Sequence, residues 1–327
     1  MKSTLCAACV LLALPADHEL RTVYRAESAL RIESTLELEW ETTAMSMVRD
    51  GEPVEGRGFG GGGTSSTTRS VVVDRYLEVA GAAPARVQRR WEELEGESSM
   101  SFGGEDRSLT LESDFEDLLV ELARDEDGEL AVEVLEGTGP DVEVLERLRP
   151  GLALDAFLTG DAVAEGAEWT LDSDAIRHGL GLDVSYFRAP QREGGGPGGG
   201  RGGGRRGGFG GGADAQLAGV EWSGRARFAA LEVFEGLECA RIALELEGES
   251  EREDESSSST TTAELEGTLW VALESRRPVG LDLEGAIASE MDSTRERDGS
   301  VMEMHRESEG TYKQRVRVGD APFAEDE

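Results

Sequence analysis

The stretch ALRIESTLELEWETTAMSMV, residues 29–48, limits what this chain can fold into more than any other. Leu30, Ile32, Leu36, Leu38 and Trp40 share one parity, interrupted only by Ser34, while Arg31, Glu33, Glu37 and Glu39 take the other. A side-chain period of two is that of an extended strand, and apolar residues on one side only predict a sheet with one face on a core and one in water. Such alternation belongs to antiparallel sheets, because strands buried on both faces read as unbroken apolar runs. The run is much longer than the usual strand of about 5–6 residues. The fold class expected is therefore mainly β: long antiparallel strands in a curved sheet or half-barrel.

Further β runs are read at Leu20 to Ala26, Val71 to Ala80, Leu109 to Phe115, Leu118 to Ala123 and Leu180 to Phe187. In the second half they continue over residues 217–230, 231–246, 263–273, 279–288 and 300–318, whereas residues 85–102, with Val87, Trp91 and Leu94, admit a strand or a short helix. Asp127-Gly128 and Asp298-Gly299 fall between alternating runs and predict hairpins. A calcium loop is the rival reading of the first, but aligning Gly128 with the glycine of such a loop puts Ala123 and Val134 at positions that need oxygen ligands.

Between the halves, Val142, Val144, Leu145 and Leu148 sit three and four apart, the spacing of a short helix that Pro150-Gly151 ends. The organisation expected is a leader at 1–16, a first β half at 17–140, a central helix and turn at 141–171, a second β half at 172–320 with a disordered insert at 191–214, and an acidic tail at 321–327. Three tracts are read as loops: glycine-rich 50–70 and 194–212, and the polar tip ESEREDESSSSTTT at 249–262.

Acidic residues outnumber basic ones 68 to 33, for a net charge of −35. A field of that sign repels phosphate backbones and anionic lipid surfaces, so no nucleic-acid partner is expected, even though Arg201, Arg205, Arg206 and Phe209 among glycines resemble an RNA-binding tract. Residues MKSTLCAACVLLALPA, with Lys2, an apolar run and Ala16, read as a secretory signal peptide. Export to the periplasm or the extracellular space follows as an expectation. No other run has the ~18 apolar residues of a transmembrane span. Loss of Cys6 and Cys9 with the leader leaves Cys239, in an apolar run, as a buried small hydrophobe rather than a disulfide partner.

The histidines His18, His178 and His305 are scattered and form no metal-binding spacing, so neither metal nor cofactor is expected. Asp172, Ser173, Asp174 and His178 could be written as a hydrolytic set, yet no nucleophile elbow accompanies them, and no enzyme is expected. No catalytic residue is assigned.

The run LALDAFLTGDAVAEGAEW, followed later by EGLECARIALELEGE, resembles a family of uncharacterised exported bacterial β-proteins with a lipoprotein-carrier-like curved sheet, over about Leu152 to Gly248. The resemblance implies a half-barrel wrapped over a helix, with an apolar hollow able to accept acyl chains, and it carries over no catalytic residue. This chain departs from it by the glycine-rich insert. The function expected is a non-enzymatic exported protein that binds an apolar or lipid-like ligand in the hollow. Trp40, Phe157, Trp169, Trp222 and Trp270 are the aromatics expected at the hollow or the core. A cell-envelope surface or interaction protein acting through its acidic skin and loops is the second reading, and a hydrolase without a recognisable motif the third.

Overall fold

A computed structural model of the protein describes residues 17–54, 62–102, 105–125, 128–188, 217, 219–297 and 299–322. Its first half holds β1 (His18–Glu19), β2 (Ser28–Arg49), β3 (Glu52–Pro53), β4 (Gly63–Ala80), β5 (Ala83–Phe102), β6 (Glu105–Thr110), β7 (Leu119–Arg124) and β8 (Leu130–Glu136). A connecting stretch follows with α1 (Val142–Leu145), a 3-10 turn (Ala153–Phe157), β9 (Ala162–Val163), β10 (Glu168–Leu171) and α2 (Ser173–Gly179). Five long strands complete the chain: β11 (Glu221–Phe234), β12 (Leu237–Glu253), β13 (Ser257–Ala272), β14 (Arg277–Arg297) and β15 (Ser300–Ala321).

Thirteen strands make one open, curved antiparallel sheet, in the order β10-β11-β12-β13-β14-β15-β2-β4-β5-β7-β8, with β3 beside β2 and β6 beside β5. The mainly β, antiparallel fold expected from the alternation is the one observed. The two halves join where β15 pairs with β2 along almost its whole length, from Met302 opposite Arg49 to Ala321 opposite Ala29.

Register carries the parity of residues 29–48 across the sheet. Leu38 lies opposite Tyr312, Tyr312 opposite Gly285, Gly285 opposite Leu265 and Leu265 opposite Leu246, all on the covered face. On the other face the matching row is Glu245, Glu266, Glu284, Lys313 and Glu37. Glycines on the covered face let neighbouring backbones approach. A Cβ added at Gly267, Gly285 or Gly310 would stand 2.3, 1.9 or 2.0 Å from a carbonyl oxygen of the next strand. Glycines inside strands are a common device for bending a sheet.

The connecting stretch lies over that covered face and closes the core. Phe157 and Ile176 have no exposure, and the ring of Phe157 fills the space beside Gly179. The N-terminal residues strap this cover down: the Leu20 amide donates to the Asp161 carbonyl, the Gly160 amide to the Leu20 carbonyl and the Val23 amide to the Arg276 carbonyl.

Several local expectations are corrected. The connection holds two helices and a 3-10 turn instead of one central helix, because Asp172 caps α2 by accepting from the Ala175 amide, and Arg177 and His178 close its last turn. Leu180 to Phe187 forms no strand; it leaves α2 through turns and supplies apolar side chains to the cover. Leu20 to Ala26 is likewise irregular beyond β1, since its hydrogen bonds go to loops and side chains rather than to a ladder.

Of the tract read as a loop at 50–70, residues from Gly63 onward belong to β4, with Ser66, Thr68 and Ser70 on the covered face. The 249–262 tip is mostly strand: β12 and β13 pair out to Glu253 opposite Ser258, and Asp254 caps the turn by accepting from the amides of Ser256 and Ser257. Short hydroxyl side chains satisfy a ladder as well as a loop, which is why composition misled there. Leu109 to Phe115 joins the sheet through the end of β6 and the Leu111 amide, which donates to the Gly96 carbonyl of β5, and residues 85–102 are strand throughout. The hairpins expected at Gly128 and Gly299 form, both glycines having positive φ (86° and 78°). The leader 1–16, the insert 191–214 and most of the tail 321–327 lie outside the described residues.

Candidate functional site: a hollow between sheet and cover

One partly enclosed cavity of about 180 Å³ lies between the covered face of the sheet and the connecting stretch. Its floor comes from adjacent strands: Ile32, Ser34 and Leu36 of β2, Thr68, Ser70 and Val72 of β4, and Gln314, Val316 and Val318 of β15. Leu148, Leu152 and Leu154 form part of the roof, joined by Leu180, Leu182 and Val184 from the segment after α2. The room exists because of a break in the apolar alternation. Ser34 lies directly opposite both Ser70 and Val316, so two of the smallest side chains face each other, with Ile32, Val72 and Val318 on one flank and Leu36, Thr68 and Gln314 on the other.

Two buried polar side chains of the lining, Gln314 and Arg89, are satisfied within the protein. Gln314 donates to the Leu180 carbonyl at 3.2 Å and accepts from the Tyr312 hydroxyl at 2.8 Å. Arg89 donates from Nε and Nη2 to the two carboxylate oxygens of Asp74, both at 2.6 Å. Burial opposes the Arg89 charge, but Asp74 more than compensates, and the guanidinium is held above its usual range. Asp74 has no solvent exposure, so the bidentate pair is a core element.

At the opening stand the exposed members of the lining, Arg147, Arg149 and Gly181. His178 and Asp183 sit beside them, with His178 Nδ1 3.2 Å from Asp183 Oδ2 and Arg177 Nη2 3.5 Å from Asp183 Oδ1. Burial lowers the pKa of His178; Asp183 pulls it back up, and Arg149 and Arg89 reinforce the lowering. The roof is latched next to this opening. Thr22 and Tyr24 each donate a hydroxyl hydrogen bond to the Asp155 carboxylate, and the Leu152 amide donates to the Tyr24 oxygen at 2.7 Å. Burial raises the pKa of Asp155 to about 6, against the pull of the two hydroxyls.

None of the five aromatics singled out in the sequence lines this hollow. Trp40, Phe157 and Trp222 are buried in the main core; Trp169 is partly buried against it and donates from Nε1 to the Phe157 carbonyl at 3.0 Å. Trp270 lies on the opposite face, stacked on Phe234 with centroids 4.2 Å apart and 12° between planes, with the Arg317 guanidinium 5.2 Å from the Phe234 centroid. That satellite cluster includes Cys239, which is buried and whose thiol pKa burial pushes up, in keeping with the reading of Cys239 as a small hydrophobe. The residues that do line the hollow had one signal in the sequence, the lapse at Ser34, which parity alone gave no reason to call a site.

The suggested hydrolytic residues are engaged elsewhere. The Ser173 hydroxyl accepts from the Trp222 amide, Asp172 caps α2, and His178 faces Asp183. Two further histidine arrangements went unread. The ring of His18 packs edge-on against Phe228 with centroids 5.7 Å apart. His305 stands in register with Asp292, bonds to it at 2.9 Å and to Glu307 at 3.2 Å, and has ligand-type atoms within 4.8 Å of those of Asp292 and Glu290.

No protein-family model matches the chain, and no curated protein matches it. No helix among the described residues is long and apolar enough to cross a membrane.

Proposed function

We propose that this is an exported, non-enzymatic binding protein that holds a small apolar or lipid-like group in the hollow between its sheet and its cover. The observation that carries the reading is the cavity itself: about 180 Å³, built from one-sided strands and closed by leucines of a separately latched segment. A cavity of ~150 Å³ lined by leucine, isoleucine and phenylalanine is enough to take up benzene and stays dry without it. This volume falls below the ~300 Å³ of ordinary small-molecule pockets, so the hollow fits a short apolar group or the end of a chain rather than a whole lipid. The resemblance of residues 152–248 to exported proteins with a carrier-like sheet, and the leader-like residues 1–16, point the same way.

The test uses the neutral, polarity-sensitive dye N-phenyl-1-naphthylamine with the full chain and with the variant Ser34→Leu/Ser70→Val, which restores the apolar alternation across the floor. Dye fluorescence rises with the wild type and is lost in the filled variant, whose unfolding midpoint is unchanged or higher. Equal dye uptake by the two proteins, or none by either, sinks the reading.

A surface that engages other proteins is the second reading. It draws on exposed Leu231, Val233 and Leu237 around the β11–β12 hairpin, 47%, 71% and 43% accessible.

A further inference from the structure

The charge of the hollow is opposite to that of the protein. The chain carries −35, yet the charged side chains lining the cavity are Arg89, Arg147, Arg149 and Asp183, three positive and one negative, for a net +2 with His178 neutral. Two of these are spoken for: Arg89 is locked to Asp74, and Asp183 is shared by Arg177 and His178. What is left is Arg147 and Arg149, both exposed at the opening, neither in an ion pair among the described residues. An acidic surface offers many carboxylates, and Glu143 and Glu146 lie close in sequence, but these two guanidinium groups remain open beside an apolar cavity.

Low-dielectric walls around unpaired cations focus the field and strengthen it against an anion arriving there, and a guanidinium matches a carboxylate or phosphate with two parallel hydrogen bonds. Beside the arginines the lining turns apolar within one to three residues, at Leu148 and Leu152. Cationic rim and greasy interior together describe the complement of a molecule with an anionic head and a hydrocarbon end.

We propose that the occupant is a single-chain anionic amphiphile, its carboxylate or phosphate head held by Arg147 and Arg149 and its chain end lodged between the Ser34–Ser70 floor and the leucine roof. The assignment rests on the reading of the hollow as a ligand site and adds the chemistry of the ligand. It also gives the acidic surface a role: with 68 acidic residues against 33 basic ones, that surface as a whole repels such a molecule and leaves the rim arginines as an attractive spot among the described residues.

Isothermal titration of the full chain with decanoate, decyl phosphate, decanol and decyltrimethylammonium, each below its micellar concentration, separates the contributions. At least one anion binds at least tenfold tighter than decanol, and decyltrimethylammonium binds more weakly than decanol. Which anion is tighter identifies the head as carboxylate or phosphate. The variant Arg147→Gln/Arg149→Gln lowers anion binding to the decanol level and leaves decanol unchanged, and rising salt weakens only the anions. Equal binding of decanol and both anions by the wild type, or unchanged anion binding by the double variant, overturns the headgroup assignment while leaving the hollow as a ligand site. Binding of none of the four overturns both.

Discussion

Asp74 and Arg89 offer the sharpest test of how this core is held together. They are register partners on β4 and β5, joined by two hydrogen bonds of 2.6 Å with Asp74 wholly buried, and Arg89 forms part of the floor of the hollow. Replacing Asp74 with valine strands a guanidinium that cannot lose its proton, and replacing Arg89 with methionine strands a carboxylate; breaking a buried pair from one side costs about 3–5 kcal/mol. Removing both charges removes the desolvation penalty with them, so Asp74→Val/Arg89→Met should lose far less than the two single losses added together. Urea denaturation at neutral pH, read as a double-mutant cycle, should give a coupling energy of at least about 2 kcal/mol. The exposed pair Arg225–Glu245, with side chains 68% and 60% accessible, is the control, and its cycle should give less than about 1 kcal/mol. Additive losses at Asp74 and Arg89, or single losses as small as the control's, would refute the claim that the pair is a buried unit.

Other expectations follow from single groups. With a folded pKa of about 6 against an ordinary 3.8, Asp155 takes up its proton more readily in the folded chain than in the unfolded one. Its contribution to stability is full below about pH 4 and is lost as pH rises to about 6, a change of about 3 kcal/mol. Asp155→Asn should remove that dependence, and a constant stability difference between wild type and variant from pH 4 to 7 would count against it. Gly285→Ala forces a Cβ to within 1.9 Å of the Glu264 carbonyl oxygen and should cost about 3 kcal/mol in chemical denaturation, whereas Gly319→Ala, with nothing within 4 Å, should cost nothing measurable. His305, whose pKa is raised by hydrogen bonds to Asp292 and then Glu307, should titrate above 6.5 by NMR, and Asp292→Asn should bring the midpoint down.

Much of the architecture was legible because one rule, parity, operates over long stretches. Residues 29–48 gave the covered and open faces of β2, and pairing copied those faces across the sheet. Where the rule does not apply, reading failed. β4 begins at Gly63 with serines and threonines whose burial is decided by their neighbours on β2 and β5, not by their own polarity. The segment DSDAIRHG had every mark of a capped short helix, but four of its eight residues are charged or hydroxylic, and they drew attention as a hydrolytic set rather than as a helix. The hollow was harder still. Ser34, Ser70 and Leu154 meet only after the fold is made, and the two rim arginines look like any other among the 33 basic residues until their lack of an ion pair among the described residues is seen in three dimensions.

The seam between β2 and β15 has a consequence for how the molecule comes into being. One edge of β2 pairs with nearby β4, but the other finds its partner only in Ser300–Ala321, so this seam cannot close until all the strands between have been made. Contacts so distant along the chain are slow to form. A copy truncated before Ser300 would keep its local hairpins but expose the flanks of β2 and β14 to any passing strand.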